Sequence, residues 1–488
     1  MGQKTVIQAL KPPVSLTMDD QLYERLYDHL FPGDGDEHGA VIMAGVSQTE
    51  RGTRLLAREL LLARDGIDYI SSPRAHRMLT ARFVAEASDR CEAESLCYLA
   101  VHNHGPGDSV SFSGTDLASH ERCYPALLDI TGGLPVGGLV FSTNAVAGDI
   151  WMRSGRQPLS FARIVGPRIK TLYPTPPASR RHADPRYDRH TRLFGDVGQE
   201  ILRALKIGII GLGGGGSLLN EWTVKLGVGH IVAIDFDRVD ITNIPRIVGV
   251  TEWDARGILT RRPIGWLRRL GKSLAAHKVN VARRVARQAN RNVRFDAVVG
   301  SVIDYEVAAL LRDVDFLFLA SDSIQSRLVF NALVQQYLIP GAQVGVKIGQ
   351  TDGKVDPENS FAATRLVLPG IGRGCLECHE LIPPGKVQEE ALSLTERRRQ
   401  RYVEDDEVAE PSVITLNALS AIQAANDLMM MFTGLYQSGV RLEHQMNFVC
   451  QREMVNVEFR AKPNCPDCAA TSRSRRGRGD LYRLPCRV

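Results

Sequence analysis

The sequence predicts an α/β protein in two units, the second a doubly wound parallel sheet. Three observations carry that expectation. Strand-like and helix-like runs alternate from Tyr187 onward. A glycine-rich turn joins the first strand of that series to its helix. A Pro-rich stretch, TLYPTPPASRRHADPR, separates the series from an earlier α/β region. Composition excludes a disordered or collagen-like chain and a small disulfide scaffold: 44% of the 488 residues are hydrophobic and 24% charged.

The first unit is read over residues 1–168. TMDDQLYERLYDHLF has apolar residues at helical spacing, and AVIMAG, LCYLAVHNH and GGLVFST read as strands. A linker is expected over 169–185 and the second unit over 186–470. There KIGIIG, HIVAIDFD and VDFLFLASD read as strands, and SLLNEWTVKLG as a helix. Two excursions interrupt it, TEWDARGILTRRPIGWLRRLGK and a charged stretch near 383–410. Residues 471–488 hold six Arg and one Asp, and a flexible, solvated tail is expected there. That tail alone equals the whole formal net charge of +5, so neither a nucleic-acid nor a membrane partner is expected. The opening MGQKTVIQALKPP lacks the apolar core of a secretory signal, and a cytoplasmic protein is expected.

His102 and His104 lie two apart on a strand, so both rings share one face. Asp116 follows at a helix start. Two imidazoles, one carboxylate and an open fourth position suit catalytic zinc. Zinc lowers the pKa of its water toward about 7, and a base must then move the proton; Glu37 is the candidate. The order Glu37, His102-Asn103-His104, Ser113-x-x-Asp116 resembles the JAMM metallopeptidases of the JAB/MPN family over about residues 20–165. The resemblance implies an α/β metallopeptidase fold, with His102, His104 and Asp116 on zinc and Glu37 activating water. It implies that Ser113 helps hold an oxyanion. The substrate it implies is the peptide or isopeptide bond after the C-terminal Gly of a ubiquitin-like protein. Asn103 replaces the family's Ser or Thr, and eight residues rather than seven separate His104 from Ser113.

Gly211, Gly213 and Gly216 form a GxGxxG frame, with Asp235 ending the next strand. Glycines let the backbone approach phosphate and the helix start favours the anion, while the acid suits ribose hydroxyls. Alone, this frame suggests NAD and an oxidoreductase. YDRHTRLFG, DFDRVDITNIPR, HKVNVARR and ASDSIQSR surround it, however, and the set resembles the ubiquitin-activating (ThiF/MoeB-like) adenylating superfamily. That implies a Rossmann-like fold using ATP and Mg, with Asp235 and Asp237 in the nucleotide site. Asn243, Arg246 and Lys278 would grip the triphosphate, Asp322 would hold Mg, and Arg189 would reach phosphates across a homodimer. The first excursion lengthens the spacing to Lys278 and leaves Lys272 as an alternative.

Nine cysteines without an export signal argue against disulfides. Two CxxC pairs, Cys375/Cys378 and Cys465/Cys468, point to a closed structural zinc site, and resemble the zinc knuckle of ThiF/MoeB-like enzymes. That superfamily often carries a catalytic Cys after the first pair, but none lies between Cys378 and Cys450. Ser393, Thr395 and Ser412 are the hydroxyls available there, although helix capping is the simpler role for Ser412. The enzyme thus stops at an acyl-adenylate, forms an oxyester, or passes the acyl group straight to a partner. The fusion resembles proteins of bacterial ubiquitin-like conjugation operons, several of which serve antiphage defence, and so implies a conjugating-enzyme partner. Sulfur-carrier activation is the alternative within the same chemistry.

Overall fold

The computed structural model describes residues 12–70, 77–178, 184–351, 354–370, 372–391, 411–442, 444–458 and 460–487. They form two compact units. The first holds the described residues up to Ile164, with Thr171–Ala178 and Gly477–Tyr482. The second holds Val165–Lys170 and the described residues of Ser179–Arg476 and Arg483–Val488.

In the first unit β1 (Val14–Asp19) runs into α1 (Asp20–Leu30), where the Asp19 carboxylate accepts from Leu22 N. β2 (Gly39–Thr49) and β3 (Gly52–Leu62) form an antiparallel hairpin. A short ribbon of β4 (Tyr69–Ile70) and β5 (Met78–Leu79) precedes α2 (Ala81–Glu94), β6 (Cys97–Asn103) and α3 (Gly114–Ile130). β7 (Val136–Phe141), β8 (Val146–Met152), β9 (Gly155–Val165) and β10 (Lys170–Leu172) follow. The strand order is β1-β3-β2-β6-β7-β8-β9-β10, and β9 also pairs with β1, so the sheet curls back on itself. Period-two alternation sorts the two faces. Along β2, Ala40, Ile42, Ala44 and Val46 join the core with Leu22, Leu26 and Leu30 of α1. Val41 and Met43 join the opposite core, with Phe83 and Ala87 of α2 and Tyr124 and Leu127 of α3. Each fully buried Leu or Phe stabilises by roughly 1.5–3 kcal/mol, which holds the helices against the sheet.

The second unit is a Rossmann-like, doubly wound α/β fold. Its first half runs α4 (Asp188–Ala204), β11 (Lys206–Ile210), α5 (Gly214–Leu226), β12 (His230–Ile234), α6 (Gly257–Thr260), α7 (Gly265–Leu274), α8 (Lys278–Ala289) and β13 (Arg294–Val298). Its second half runs α9 (Tyr305–Ala309), β14 (Phe316–Leu319), α10 (Ile324–Tyr337), β15 (Gly341–Thr351), β16 (Lys354–Val367), α11 (Pro384–Ala391), α12 (Ile414–Thr433), β17 (His444–Phe448) and β18 (Glu453–Val457). The sheet order is β13-β12-β11-β14-β15-β16-β17-β18, parallel from β13 to β15 and antiparallel beyond. The chain winds outward from β11 to β13, then returns to place β14 on the other side of β11. That reversal opens a crevice at the ends of β11 and β14, where ligands bind in such sheets. The first excursion forms α6 and α7. Ser393 and Thr395 of the second lie outside the described residues, as do residues 179–183 of the expected linker.

The Arg-rich end is not the solvated tail expected from its charge. Arg476 is 1% exposed and Arg478 is buried. Arg475 Nε donates to Asp467 Oδ1 at 3.1 Å, and Arg478 Nη1 donates to Glu94 O at 2.7 Å. Asp480 N donates to Val46 O at 2.7 Å, and the Asp480 carboxylate accepts from Gln48 N at 2.8 Å. Glycine permits the approach: a Cβ on Gly45 would lie 2.1 Å from Gly477 O. Specific acceptors for the guanidinium groups override what composition suggests.

Candidate functional site

Within the first unit, β2 and β6 are antiparallel with Gly39 opposite His102. Glu37 lies two residues before the start of β2, near enough for its charge to act on His104. His102 shares the parity of Tyr98, which faces α2 and α3, and the first turn of α3 carries Asp116. The two His Nε2 atoms are 3.3 Å apart, and each lies 3.7 Å from Asp116 Oδ2. A tetrahedral metal bound at about 2.0 Å requires ligand atoms about 3.3 Å apart, so these three donors fit zinc with one position open. Burial and the neighbouring His102 depress the pKa of His104. Burial opposes ionisation of Asp116, yet hydrogen bonds with His102 and Ser113 hold its carboxyl well below the usual range. A neutral imidazole and an ionised carboxylate are the ligand forms a metal needs.

Ser113 caps α3. Its Oγ donates to Asp116 Oδ2 at 2.7 Å and its backbone N to the same oxygen at 2.8 Å, which aims the carboxylate at the histidines. Glu37 is half-buried, and its charge acts on His104. Asn103, on the other face of β6, is buried. Its Oδ1 accepts from His38 N at 2.6 Å and its Nδ2 donates to Asp36 O at 3.2 Å. The amide therefore grips the backbone on both sides of Glu37. The sequence marked Asn103 only as a departure from a pattern; strand register was the signal that would have given it a role.

In the second unit, β11 is followed directly by Gly211, whose φ of +88° favours glycine. A Cβ on Gly216 would lie 1.9 Å from Gly211 O, so the turn closes only without one. α5 begins at Gly214, and its free N–H groups face the crevice end of the sheet. Asp235 Oδ2 accepts from Leu212 N at 2.7 Å, and Asp235 Oδ1 from Asp237 N at 2.8 Å. Burial raises the Asp235 pKa, against the pull of Lys278. Lys278 opens α8, with Nζ 2.6 Å from Asp237 Oδ2 and 3.9 Å from Asp235 Oδ2. Lys272 is exposed on α7 and lies 3.8 Å from Asp240 instead. The excursion is a closed detour, so the chain returns Lys278 to the site despite the long spacing.

Asn243 is buried in a 3-10 turn, where its Oδ1 accepts from Asp240 N at 3.0 Å. Arg246 is half-buried three residues on. Asp322 is exposed just beyond β14; Ala320 O would lie 2.8 Å from a Cβ on Gly211, so this strand end abuts the glycine turn. Arg189 is exposed in the first turn of α4. Ser412 does not cap α12, which begins after Val413 without a side-chain cap. Its Oγ accepts instead from Asn417 Nδ2 at 3.1 Å, and a Cβ on Gly214 would lie 2.2 Å from that nitrogen. Ser412 is thereby brought beside the glycine turn. Glu390 of α11 accepts from Ser323 Oγ at 3.0 Å and from Ile324 N and Gln325 N at 2.9 Å, so a carboxylate caps α10 directly after Asp322. Neither Asn417 nor Glu390 was visible in a motif.

The four CxxC thiols are buried together. Cys375 Sγ lies 3.8 Å from Cys378 Sγ and 3.6 Å from Cys465 Sγ, and Cys378 Sγ lies 3.5 Å from Cys468 Sγ. Tetrahedral zinc at about 2.3 Å from sulfur needs sulfurs about 3.8 Å apart, so the cluster fits a closed site. Lys462 N donates to Cys378 Sγ at 3.3 Å, and Asn331 Nδ2 to Cys375 Sγ at 3.5 Å.

Several known proteins are similar to parts of this chain. Escherichia coli (strain K12) molybdopterin-synthase adenylyltransferase is 28% identical over 149 residues, 30% of this chain and 52% of the relative. Bacillus subtilis (strain 168) sulfur carrier protein ThiS adenylyltransferase is 29% identical over 199 residues, 40% of this chain and 49% of the relative. The chain spans about half the length of these curated relatives. A crystal structure of E. coli MccB with ATP is 18% identical, covers 59% of this chain and 75% of that one, and has a TM-score of 0.43. The ThiF family matches residues 187–468, more than half of the sequence, and the chain belongs to that family.

Proposed function

We propose that the chain is a bifunctional enzyme acting on the C-terminal Gly of a small ubiquitin-like carrier protein. The second unit activates that carboxylate with ATP, and the first cleaves the bond formed after the same Gly. The observation that carries the activating half is Asp235. It binds the glycine turn through Leu212 N and lies 3.9 Å from the Lys278 ammonium, so ribose and phosphate recognition converge in one crevice.

In the activating step the carrier carboxylate attacks the α-phosphorus of ATP, giving acyl-AMP and pyrophosphate. Asn243, Arg246 and Lys278 offset charge on the departing pyrophosphate, and Asp322 would hold Mg. An NAD-dependent oxidoreductase has no use for that set. On α4, Val197 and Ile201 are exposed one turn apart, 55% and 37%, beyond a kink at Gly195 that separates them from Leu193, itself 59% exposed. A homodimer formed over this apolar surface, with Arg189 reaching the facing site, belongs to the same reading. Without a crossover Cys, acyl-AMP is the end product, or the acyl group passes onward directly or through an oxyester. Of the three candidate hydroxyls, Ser412 is the one among the described residues, and it stands beside the glycine turn. Sulfur-carrier activation shares every step up to acyl-AMP.

His102, His104 and Asp116 would hold zinc in the first unit, and zinc there would supply Lewis-acid polarisation of the scissile carbonyl and of water. Glu37 takes the proton from water and returns it to the leaving amine. Ser113 orients Asp116 and stands beside the developing oxyanion.

ATP–pyrophosphate exchange, dependent on a carrier ending in Gly, tests the activating half. Tight NAD binding with no exchange overturns it. Intact mass after incubation with ATP and carrier separates free acyl-AMP from a covalent Ser or Thr adduct. Cleavage of a Gly–Lys isopeptide, dependent on zinc, tests the peptidase half.

A further inference from the structure

The net charge conceals a strong local asymmetry. Residues 251–291 hold eleven Lys and Arg against two acids, a local charge of +9 in a chain of +5. With the Arg-rich end set aside, the rest of the chain is acidic. The basic stretch comprises the excursion with α6 and α7, then α8. On α7, Trp266, Leu270 and Leu274 repeat every four residues and are 65%, 41% and 51% exposed, with Arg268, Arg269 and Lys272 exposed among them. Trp253, Ile258 and Ile264 add 72%, 74% and 47% exposed apolar side chains nearby in sequence. Arg256 joins the parts: it stacks on the Trp253 ring at 4.6 Å, and its Nε donates to Leu274 O at 3.1 Å. Asp254 accepts from Arg284 of α8 at 2.7 Å. The exposed side of α8 and the residue beyond it carries Asn280, Arg283, Arg284, Arg287, Gln288 and Arg291 around one open surface depression. Among the described residues, Arg262, Arg268, Arg269, Arg283, Arg287 and Arg291 form no ion pair.

We propose that this stretch is a basic amphipathic surface that seats the second unit on an anionic phospholipid bilayer. Apolar side chains enter the interface while the surrounding guanidinium groups bind headgroup phosphates. Charge complementarity selects the occupant. A second copy docking through the same surface sets one net-positive surface against another. A nucleic acid engages Arg and Trp but leaves Leu270, Leu274, Ile258 and Ile264 in water. A fluid interface accepts apolar side chains protruding from several segments, whereas a protein groove takes one helix face. The contact is peripheral: no helix among the described residues is long and apolar enough to cross a membrane.

The test is flotation of the full chain with vesicles of phosphatidylcholine alone, or of phosphatidylglycerol and phosphatidylcholine in equal parts. Binding to the anionic vesicles only, weakened by salt, is expected. Arg268→Glu with Arg269→Glu should lower vesicle affinity about tenfold or more. Trp266→Ser with Leu270→Ser should lower it while circular dichroism and the melting temperature are kept. No flotation at low salt, or equal flotation of both double variants, overturns the proposal. So does patch-dependent binding of an oligonucleotide without vesicle binding, or salt-sensitive self-association in place of flotation.

Discussion

Asn103 accepts a hydrogen bond from the His38 backbone at 2.6 Å while its amide donates to Asp36 O, so one side chain brackets Glu37. Both partners lie on the segment opposite the zinc-fitting histidines. This makes Asn103 a positioning residue for the proposed base. Asn103→Ala should lower kcat for isopeptide cleavage about tenfold or more, with KM and zinc content near those of the parent. Unchanged kcat, or loss of zinc, would sink this role.

Glu37→Gln should lower cleavage about a hundredfold or more, because it removes the proton acceptor and keeps the shape. Metal analysis should still find zinc at the first site. His104→Ala with Asp116→Ala should lose that zinc and leave the four-cysteine site filled.

Lys278→Ala should abolish ATP–pyrophosphate exchange, whereas Lys272→Ala should leave it within about twofold. The reason is placement: Lys278 meets both Asp235 and Asp237, and Lys272 meets only Asp240. A reversed ranking would return the phosphate role to Lys272.

Cys465→Ser opens the four-cysteine cluster and should cost one zinc per chain. A lower melting temperature, by about 5–10 °C, is expected with it. Cleavage by the first unit should persist at temperatures where the variant remains folded.

Asp427 is buried on α12, and burial pushes its pKa up to about 6, although Tyr436 and Gln423 donate to it. The folded state therefore binds its proton more tightly than the unfolded chain does. Stability from this group is present below the unfolded value near 4 and is lost as pH rises toward 6. Asp427→Asn keeps an acceptor and drops the charge. It should raise stability at pH 7.5 by up to about 3 kcal/mol, with a smaller gain at pH 5. Equal gains at both values would argue against the buried charge.

Several features were legible because they are local. The GxGxxG turn, both CxxC pairs and the His102/His104 spacing depend on a few adjacent residues whose backbone period is set by strand or turn. Alternation of strand and helix likewise announced a Rossmann-like sheet. The Arg-rich end departs from its composition because charge content records neither Glu94, 384 residues from Arg478, nor the local turn that brings Arg475 back onto Asp467.

By itself, then, the sequence determined which donors and turns exist: two imidazoles two residues apart at a strand end, four thiols in two pairs, and a turn only glycine can close. Tertiary structure decided which of them meet. Strand register set Gly39 opposite His102, which put Asn103 on Asp36 and His38 and brought the Glu37 charge to His104. The crossover from β13 back to β14 opened the crevice, and the closed detour through α7 returned Lys278 to Asp235. Register and crossover are long-range pairings, settled by burying whole faces at once, and no short window of residues contains them.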